Sequence, residues 1–519
     1  MMTSRALLAA DEPGSRVAAL RARLVPPMPG SVFWGWAGPL LVTAFGAFLR
    51  FNRLSVPRAV IFDETYYVPD ALGILRFGVE HNYVSKRNGL IAQGNPHIFA
   101  SGGEFIAHPP AGKLLIAVGE WLFGLTPFGW RFASAVVGSL SILLLARVAR
   151  RMTRSTLLGC AAGLLLALDG LEFVMSRTAL LDIFVMFWVL AAFGCLVVDR
   201  DRYRRRLVES APGLDHSDSA PLMGIRWWRV AAGVCLGLAF ASKWNGIWYV
   251  PAFGLMCLAW DAGARRAAGF RGADRALARD IGGLAGSFVV LPLLVYIASW
   301  SGWFATNSGY DRNWAAQHGM HIPVLSDLVS LFEYHKAILA FNTGLRASHP
   351  YESKPWTWLL ISRPVAYSWV CPTSGHGQCS SGQAQEVLAM GTPVIWWASV
   401  ITLLVCLGWW VSRRDWRAGA VLVGVAAGWL PWFLFADRTQ FYFYAVAFLP
   451  FMVLSLTLCL GLLLGPARST VGRRTMGAAV AGAYLLGVLV NFAYLYPILA
   501  AKVIPYSDWL ARMWYQGWI

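Results

Sequence analysis

Two adjacent carboxylates, Asp63 and Glu64, follow the first long apolar run of this sequence, in the stretch FDETYYV that begins at Phe62. Neighbouring side chains diverge by about 100° on a helix and about 180° on a strand, so the two carboxylates cannot both reach one reacting atom. We expect one to accept a proton from an attacking hydroxyl, and the other to pair with a basic group or orient the loop. A solvated pair of loop acids is the structural alternative.

Further charged residues lie at the ends of apolar segments, far apart along the chain. Guanidinium and ammonium groups match the charge and the acceptor oxygens of a phosphate. The predicted substrate-binding residues are Arg131, Arg177, Asp182, Lys243, Asn245 and Arg438. For any one of them, the alternative is an interfacial charge that pairs with another side chain or with a lipid headgroup.

This combination favours transfer from a sugar phosphate over glycoside hydrolysis. A sugar phosphate is a good leaving group, so one base and a cationic phosphate site would suffice. A glycoside hydrolase needs two carboxyl groups on opposite sides of the scissile bond, which an adjacent pair does not supply.

The elements that must position these residues are membrane helices. Of the 519 residues, 57% are hydrophobic and only 14% are charged, against about 25% charged residues in soluble domains. In a membrane protein, the positions of the positive residues behind the formal net charge of +17 indicate which loops face the cytoplasm. Nothing in the sequence resembles a nucleic-acid-binding module.

We predict an all-α polytopic membrane protein with about eleven spans, from the positions of apolar stretches near 17–25 residues long. The predicted spans are 33–51, 127–149, 155–172, 178–198, 228–243, 246–260, 282–300, 393–411, 416–435, 441–464 and 476–497. Arginine clusters occur in alternate loops, and the positive-inside rule then places the N-terminus in the cytoplasm.

This topology divides the chain into four predicted regions. They are a cytoplasmic tail (1–32), a catalytic membrane module (33–300) that includes an outer loop (52–126), an extracytoplasmic loop (301–392), and C-terminal membrane helices with a short outer tail (393–519). The apolar piece Ala111–Gly124 is predicted to be a helix at the outer membrane surface, because a true span there would invert every later loop.

Five motifs in a fixed order resemble those of the protein O-mannosyltransferases in their bacterial, actinobacterial-type form. They are Phe62-Asp-Glu-Thr-Tyr-Tyr-Val68, His108-Pro-Pro-Ala-Gly-Lys113, Arg131-Phe-Ala-Ser134, Arg177-Thr-Ala-Leu-Leu-Asp182 and Ser242-Lys-Trp-Asn-Gly246. Each motif alone is weak, whereas the ordered set is specific.

The resemblance implies a GT-C type glycosyltransferase of the plasma membrane with an extracytoplasmic active site. Such an enzyme transfers mannose, with inversion, from a polyprenyl-phosphate mannose donor to Ser or Thr hydroxyls of exported polypeptides, and the secretion translocon is a candidate partner. The resemblance also implies that Asp63 is the base, with Glu64 beside it, and that Arg131 and Lys243 match family positions. Residues 301–392 are too few for the folded sugar-binding-like module that eukaryotic members carry.

Two other classes remain as alternatives. One is a related GT-C enzyme that uses another lipid-linked sugar, or a glycan or lipid acceptor. The other is a transporter, which would require polar residues near the bilayer midplane and a pair of discontinuous membrane helices.

Histidines and cysteines give weaker signals. His318 and His321 have ligand-like spacing, but no further convergent ligands are evident, so no metal site is predicted and a divalent metal stays open. Cys371 and Cys379 share the large outer loop, where the compartment permits a disulfide.

Overall fold

Residues 13–210, 224–270, 273–371, 382–466 and 468–519 are described by a computed structural model of the protein. Eight helices are long and apolar enough to cross a membrane, and three shorter apolar helices lie among them. In chain order these are α1 (Val32–Phe51), α2 (Pro127–Thr153), α3 (Thr156–Ala167), α4 (Asp182–Ser210), α5 (Trp227–Ser242), α6 (Trp244–Ala268), α7 (Asp280–Ser299), α8 (Pro393–Arg413), α9 (Trp416–Phe435), α10 (Leu449–Leu464) and α11 (Val471–Leu499). Each overlaps one predicted span, so the polytopic helical architecture is confirmed.

Small residues bring these helices together. A Cβ atom added at Gly46 of α1 would lie 2.3 Å from Ile142 Cδ1 of α2, and one added at Gly428 of α9 would lie 2.2 Å from the Tyr249 hydroxyl of α6. Between apolar helices in lipid, close backbone approach of this kind supplies the packing energy.

The remaining helices lie between the spans or at the chain ends. The first of the two segments predicted to lie outside, 52–126 (called here the first outer segment), contains Glu64–Phe77 (called here the motif helix), Arg87–Ala92 and Ala111–Phe123. The second, 301–392, contains Ser301–Ala305, Trp314–Gln317, Leu325–Gly344 and Pro355–Trp358. The others are Pro13–Leu24, Gly170–Met175 and Tyr506–Leu510.

Within the described ranges, five short strands form two antiparallel sheets, which were not predicted from the sequence. β1 (His81–Tyr83) pairs with β2 (Phe99–Gly103) within the first outer segment. β3 (Val365–Val370), β4 (Gln383–Ala389) and β5 (Val503–Pro505) form the second sheet, with Val365 opposite Ala389 and Gln383 opposite Pro505. This sheet ties the second outer segment to the chain end.

Three span boundaries differ from the prediction at places that shape the site. The third span ends at Ala167, because Asp169 caps a separate short helix by accepting a hydrogen bond from Glu172 N. The fourth begins at Asp182 rather than at 178. The tenth begins at Leu449, and the preceding residues, Tyr442–Ala447, form a buried 3₁₀ turn.

Candidate active site

Glu64 is fully buried, and its carboxylate oxygens accept hydrogen bonds from other groups of the protein. Its Oε1 accepts hydrogen bonds from Arg131 Nε at 2.7 Å and Ala179 N at 3.1 Å, and its Oε2 accepts from Arg131 Nη2 at 2.9 Å and Ile61 N at 3.0 Å. A buried carboxylate with four donors is electrostatically satisfied. Glu64 therefore anchors the loop that carries Asp63, the second role expected for one member of the pair.

The side chain of Arg131, in the first turns of α2, also binds backbone carbonyls of the loop that carries Asp63. Besides the Glu64 pair, it donates to the carbonyl oxygens of Leu54, Pro57 and Ala59 at 3.2, 2.9 and 2.9 Å. Its side chain is fully buried. These contacts argue against direct phosphate binding by Arg131 and assign it a positioning role.

Arg177 also binds backbone oxygens rather than facing a cavity. It donates to the carbonyls of Leu49, Arg50, Asn52 and Arg53, at 2.6–3.1 Å. These residues form the C-terminal end of α1 and the start of the outer segment. As with Arg131, the contacts argue against the predicted substrate-binding role.

Asp63 differs from its neighbour in having no partner. It is only partly buried, and among the described residues nothing donates a hydrogen bond to its carboxylate. Burial raises the pKa of Asp63 to about 6, with the nearby Lys243 ammonium lowering it and Asp182 raising it. An unpaired carboxylate with such a pKa can accept a proton near neutral pH.

Lys243 follows the last residue of α5 and is held by Asp182, the first residue of α4. Its Nζ lies 3.0 Å from Asp182 Oδ1 and 2.8 Å from Oδ2. Nζ also lies 4.4 Å from the centre of the Tyr444 ring. Because an ammonium group has three N–H donors, one remains for a ligand after the Asp182 contacts. Asp182 thus orients Lys243.

A cavity of about 190 Å³ opens beside Lys243. Three predicted binding residues, Lys243, Asn245 and Arg438, line it together with His108 and Trp244. Arg438 Nε donates to the Asn342 carbonyl at 2.7 Å and Nη2 approaches Asn342 Oδ1 at 3.3 Å, whereas Nη1 has no hydrogen-bond partner among the described residues. The structure thus brings together Lys243, Asn245 and Arg438.

Two buried polar atoms near this cavity have no partner within the described part of the chain: His108 Nδ1 and Asn245 Oδ1. Burial and the positive charges of Lys243, Lys113 and Arg438 hold the pKa of His108 well below its usual value, so this ring is neutral at physiological pH. The two cations, Lys243 and Arg438, favour an anion in this cavity, whereas Asn245 Oδ1 is an acceptor and needs a donor from a ligand.

His108 and Asn342 were missed as site residues. His108 opens one of the quoted motifs, which was a usable signal. Asn342 lies in Leu325–Gly344 with no motif around it, and only the fold brings it to the cavity.

The loop before Asp63 is strained and braced by aromatic rings. Phe62 has a φ of 46°, a left-handed conformation that bulky residues rarely adopt. Its ring stacks on Tyr367 of β3, with ring centres 4.5 Å apart and planes 10° apart. Phe441 and Phe443 contact the Phe62 ring edge-on, at 6.3 and 5.5 Å. The second outer segment and the turn before α10 therefore fix the position of Asp63.

His318 and His321 gave the metal signal in the sequence, and Cys371 and Cys379 gave the disulfide signal. Within the described ranges, no three His, Cys, Asp or Glu side chains gather as metal ligands. His318 instead stacks on Trp314, 3.8 Å away. Cys379 lies outside the described residues, so the Cys371–Cys379 disulfide stays a prediction.

The sequence matches two family models along most of its length. They are described as dolichyl-phosphate-mannose-protein mannosyltransferase, over residues 40–298, and as the C-terminal four-transmembrane region of protein O-mannosyltransferase, over residues 328–518. The structure superposes on the S. cerevisiae protein O-mannosyltransferase Pmt1–Pmt2 complex bound to the sugar donor, with a TM-score of 0.71 and 15% identity, over 97% of this chain and 94% of that one. This likeness shows a GT-C fold.

Similar sequences include proteins named polyprenol-phosphate-mannose–protein mannosyltransferase from several actinobacteria. The protein of Mycolicibacterium smegmatis (strain MKD8) is 41% identical over 93% of both chains. That of Mycobacterium tuberculosis (strain H37Rv) is 39% identical over 93% of this chain and 92% of its own, and that of Corynebacterium glutamicum is 34% identical over 96% of both. With identity at this level along nearly the whole length, the chain belongs to the protein O-mannosyltransferase family.

Proposed function

We propose that this protein transfers mannose from polyprenyl-phosphate mannose to Ser or Thr hydroxyls of exported polypeptides, with inversion at the anomeric carbon. The observation that carries the proposal is the unpaired Asp63 carboxylate, whose pKa is lowered by the nearby Lys243 ammonium. Lys243 in turn lines the cationic cavity. Relatives over almost the whole chain bear the name of this activity.

The donor phosphate would occupy the cavity lined by Lys243 and Arg438. Each has an N–H that no described protein group uses, and the unpartnered Asn245 and His108 side chains lie on the same wall. Donation from two cations stabilises the charge that builds on the phosphate as it leaves.

Asp63 would act on the acceptor. Its carboxylate takes the hydroxyl proton as the acceptor oxygen bonds to the anomeric carbon, and the bond from that carbon to the phosphate oxygen breaks with its electrons left on the phosphate. A single displacement of this kind inverts the anomeric configuration. Glu64 and Arg131 hold the loop during the step without touching the reacting atoms.

Peptide glycosylation by membranes containing the protein tests the reaction. Incubation with labelled polyprenyl-phosphate mannose and a Ser/Thr peptide is expected to label the peptide, whereas a peptide with Ala at every Ser and Thr should stay unlabelled. Transfer from another lipid-linked sugar but not from the mannose donor would overturn the donor assignment.

Donor binding tests the cavity separately. Lys243→Met and Arg438→Met should each weaken donor affinity by about 1.5–3 kcal/mol, the cost of one charge-assisted hydrogen bond. Arg512→Met, on the short tail after α11, removes a cation outside the cavity and should leave affinity unchanged. Unchanged affinity in both cavity variants would contradict the phosphate site.

We further propose that the protein lies in the plasma membrane with its N-terminus in the cytoplasm and the active site outside, where acceptors emerge from the secretion translocon. The arginine clusters between alternate spans support this orientation. A cysteine at the exposed Ser101 should react with an impermeant thiol reagent added to intact cells, and one at Arg205 should not. The reverse pattern would overturn the orientation.

A further inference from the structure

A second large cavity lies at the opposite end of the helix bundle from the candidate active site. Helix α2 contacts the active-site loop through Arg131, near its start, and ends at Thr153, about 33 Å further along at 1.5 Å per residue. The cavity beside Thr153 has a volume of about 860 Å³, within the range of about 300–1,000 Å³ typical of small-molecule sites.

The ends of six spans surround this cavity. Its lining includes the C-terminal ends of α2, α8 and α10 and the N-terminal turns of α3, α9 and α11. Helix N-termini carry partial positive charge, which favours an anion, and at these three one first-turn N–H is already used by the capping residue, Ser155, Asp415 or Thr470. Three of them converge here.

Arginines provide the second, independent signal. Arg154, Arg417 and Arg474 all line the cavity. Asp415 neutralises Arg417 through a contact of 2.6 Å. Arg154 donates to the neutral carbonyl of Pro26, and the exposed side chain of Arg474 has no hydrogen-bond or ion-pair partner among the described residues. Two positive charges are therefore left without a carboxylate partner.

The apolar part of the lining points to a lipid rather than to a free anion. Leu157 and Leu462 line the cavity with 65% and 45% of their surfaces exposed, and Leu458 and Ala478 lie beside them. Polar hydroxyls of Thr153, Ser155 and Thr475 lie on the same lining. Arginine side chains next to exposed leucines match a phospholipid, which has an anionic headgroup and apolar acyl chains.

We propose that this crevice binds one anionic phospholipid of the membrane leaflet at the arginine-rich face. The phosphate lies between Arg154 and Arg474 near the three helix N-termini, and the acyl chains lie along Leu157 and Leu462. Basic pockets between membrane helices hold anionic headgroups in this way. The inference concerns a site separate from the proposed catalytic one.

Native mass spectrometry of the purified protein tests the site, with phosphatidylglycerol and phosphatidylcholine of the same acyl chains as probes. Retention of one phosphatidylglycerol, in clear excess over phosphatidylcholine, is expected. Arg474→Gln and Arg154→Gln should each lower that affinity about fivefold, corresponding to about 1 kcal/mol per juxtamembrane charge.

Arg205→Gln is the matched control, because it removes an exposed charge of α4 outside the cavity lining. Equal retention of the two lipids would overturn the proposal, and so would equal losses in the control and in the two cavity variants. Displacement of phosphatidylglycerol by excess inorganic phosphate would also overturn it, since the site would then be a free-anion site. Because Arg474 is exposed, its substitution should leave thermal unfolding unchanged.

Discussion

At the scale of single residues, neighbouring carboxylates have different environments because the backbone changes direction between them. Asp63 precedes the motif helix and stays partly open, whereas Glu64 lies in its first turn and points inward to Arg131. A carboxylate is therefore a candidate base at Asp63, and at Glu64 it is one partner of a buried ion pair.

Substitution should separate these two roles. Asp63→Asn should cut turnover by about 10²–10⁴, the usual contribution of a general base, and leave thermal unfolding unchanged. Glu64→Gln leaves Arg131 with an unpaired buried charge and should destabilise the protein by about 3–5 kcal/mol. Turnover and unfolding temperature measured on both variants check this. A stable but inactive Glu64→Gln beside an active Asp63→Asn would show that the roles are reversed.

The pH dependence of kcat/KM should report the pKa of Asp63. The protonated carboxyl cannot accept the hydroxyl proton, so activity should fall about tenfold per pH unit below a midpoint near 6. Lys243 lowers this pKa and Asp182 raises it. The midpoint should therefore move up in Lys243→Met and down in Asp182→Asn, whatever the absolute rates. A profile flat down to pH 5 would exclude Asp63 as the base.

Residues that line the cavity were predictable from the sequence where a charged or polar side chain interrupts an apolar run, as at Lys243, Asn245 and Arg438. The same signal selected Arg131 and Arg177, whose partners are mostly backbone carbonyls. Every residue carries such a carbonyl, so the sequence cannot distinguish a guanidinium that binds backbone from one that faces a ligand. That difference depends on how α1 and the outer loop fold back over α2.

At the scale of elements, the spans were predictable from apolar length, but the pieces that brace the site were not. The turn Tyr442–Ala447 is as apolar as the helix after it, and the prediction therefore merged the two. Strand β3 is six residues long and pairs with β4, which begins at Gln383. Both supply rings that contact Phe62, so the aromatic support of the catalytic loop emerges only in the fold.

Removal of one supporting ring should affect catalysis more than donor binding. Tyr367→Leu removes the stack on Phe62, worth about 0.5–1.5 kcal/mol beyond buried area. Turnover should fall about two- to tenfold, with donor affinity unchanged, because Lys243 and Arg438 lie outside this contact. Val370→Thr changes an exposed residue of the same strand and serves as the control. Unchanged turnover in Tyr367→Leu would mean that the loop holds its position alone.

At the scale of the whole molecule, parts distant in sequence share the end of the bundle that holds the candidate active site. The first outer segment carries Asp63, the second contributes β3, and the chain end closes the sheet through β5. The C-terminal half therefore supports the loop that carries Asp63 and also supplies Arg438 to the cavity that Lys243 lines.

The second outer segment should also contain a disulfide between Cys371 and Cys379. The proposed compartment is oxidising, and the ring would be short. Intact-mass analysis with and without reduction should show a gain of about 2 Da on reduction, one hydrogen per sulfur. Thiol labelling should find both cysteines blocked before reduction, and two reactive thiols in freshly isolated protein would contradict the pairing.

The ring contacts around Phe62 also set an order of events during synthesis. Phe62 and Asp63 are synthesised early. Tyr367, which stacks on Phe62, is synthesised about three hundred residues later, and Phe443 follows after that. A nascent chain that already holds Asp63 and Lys243 thus lacks rings that fix the loop and also the cavity residue Arg438, and it should be inactive until translation is nearly complete. A chain ending at Phe435 should insert yet transfer no sugar, and co-expression of residues 436–519 should restore activity. Incomplete copies would then leave passing polypeptides unmodified.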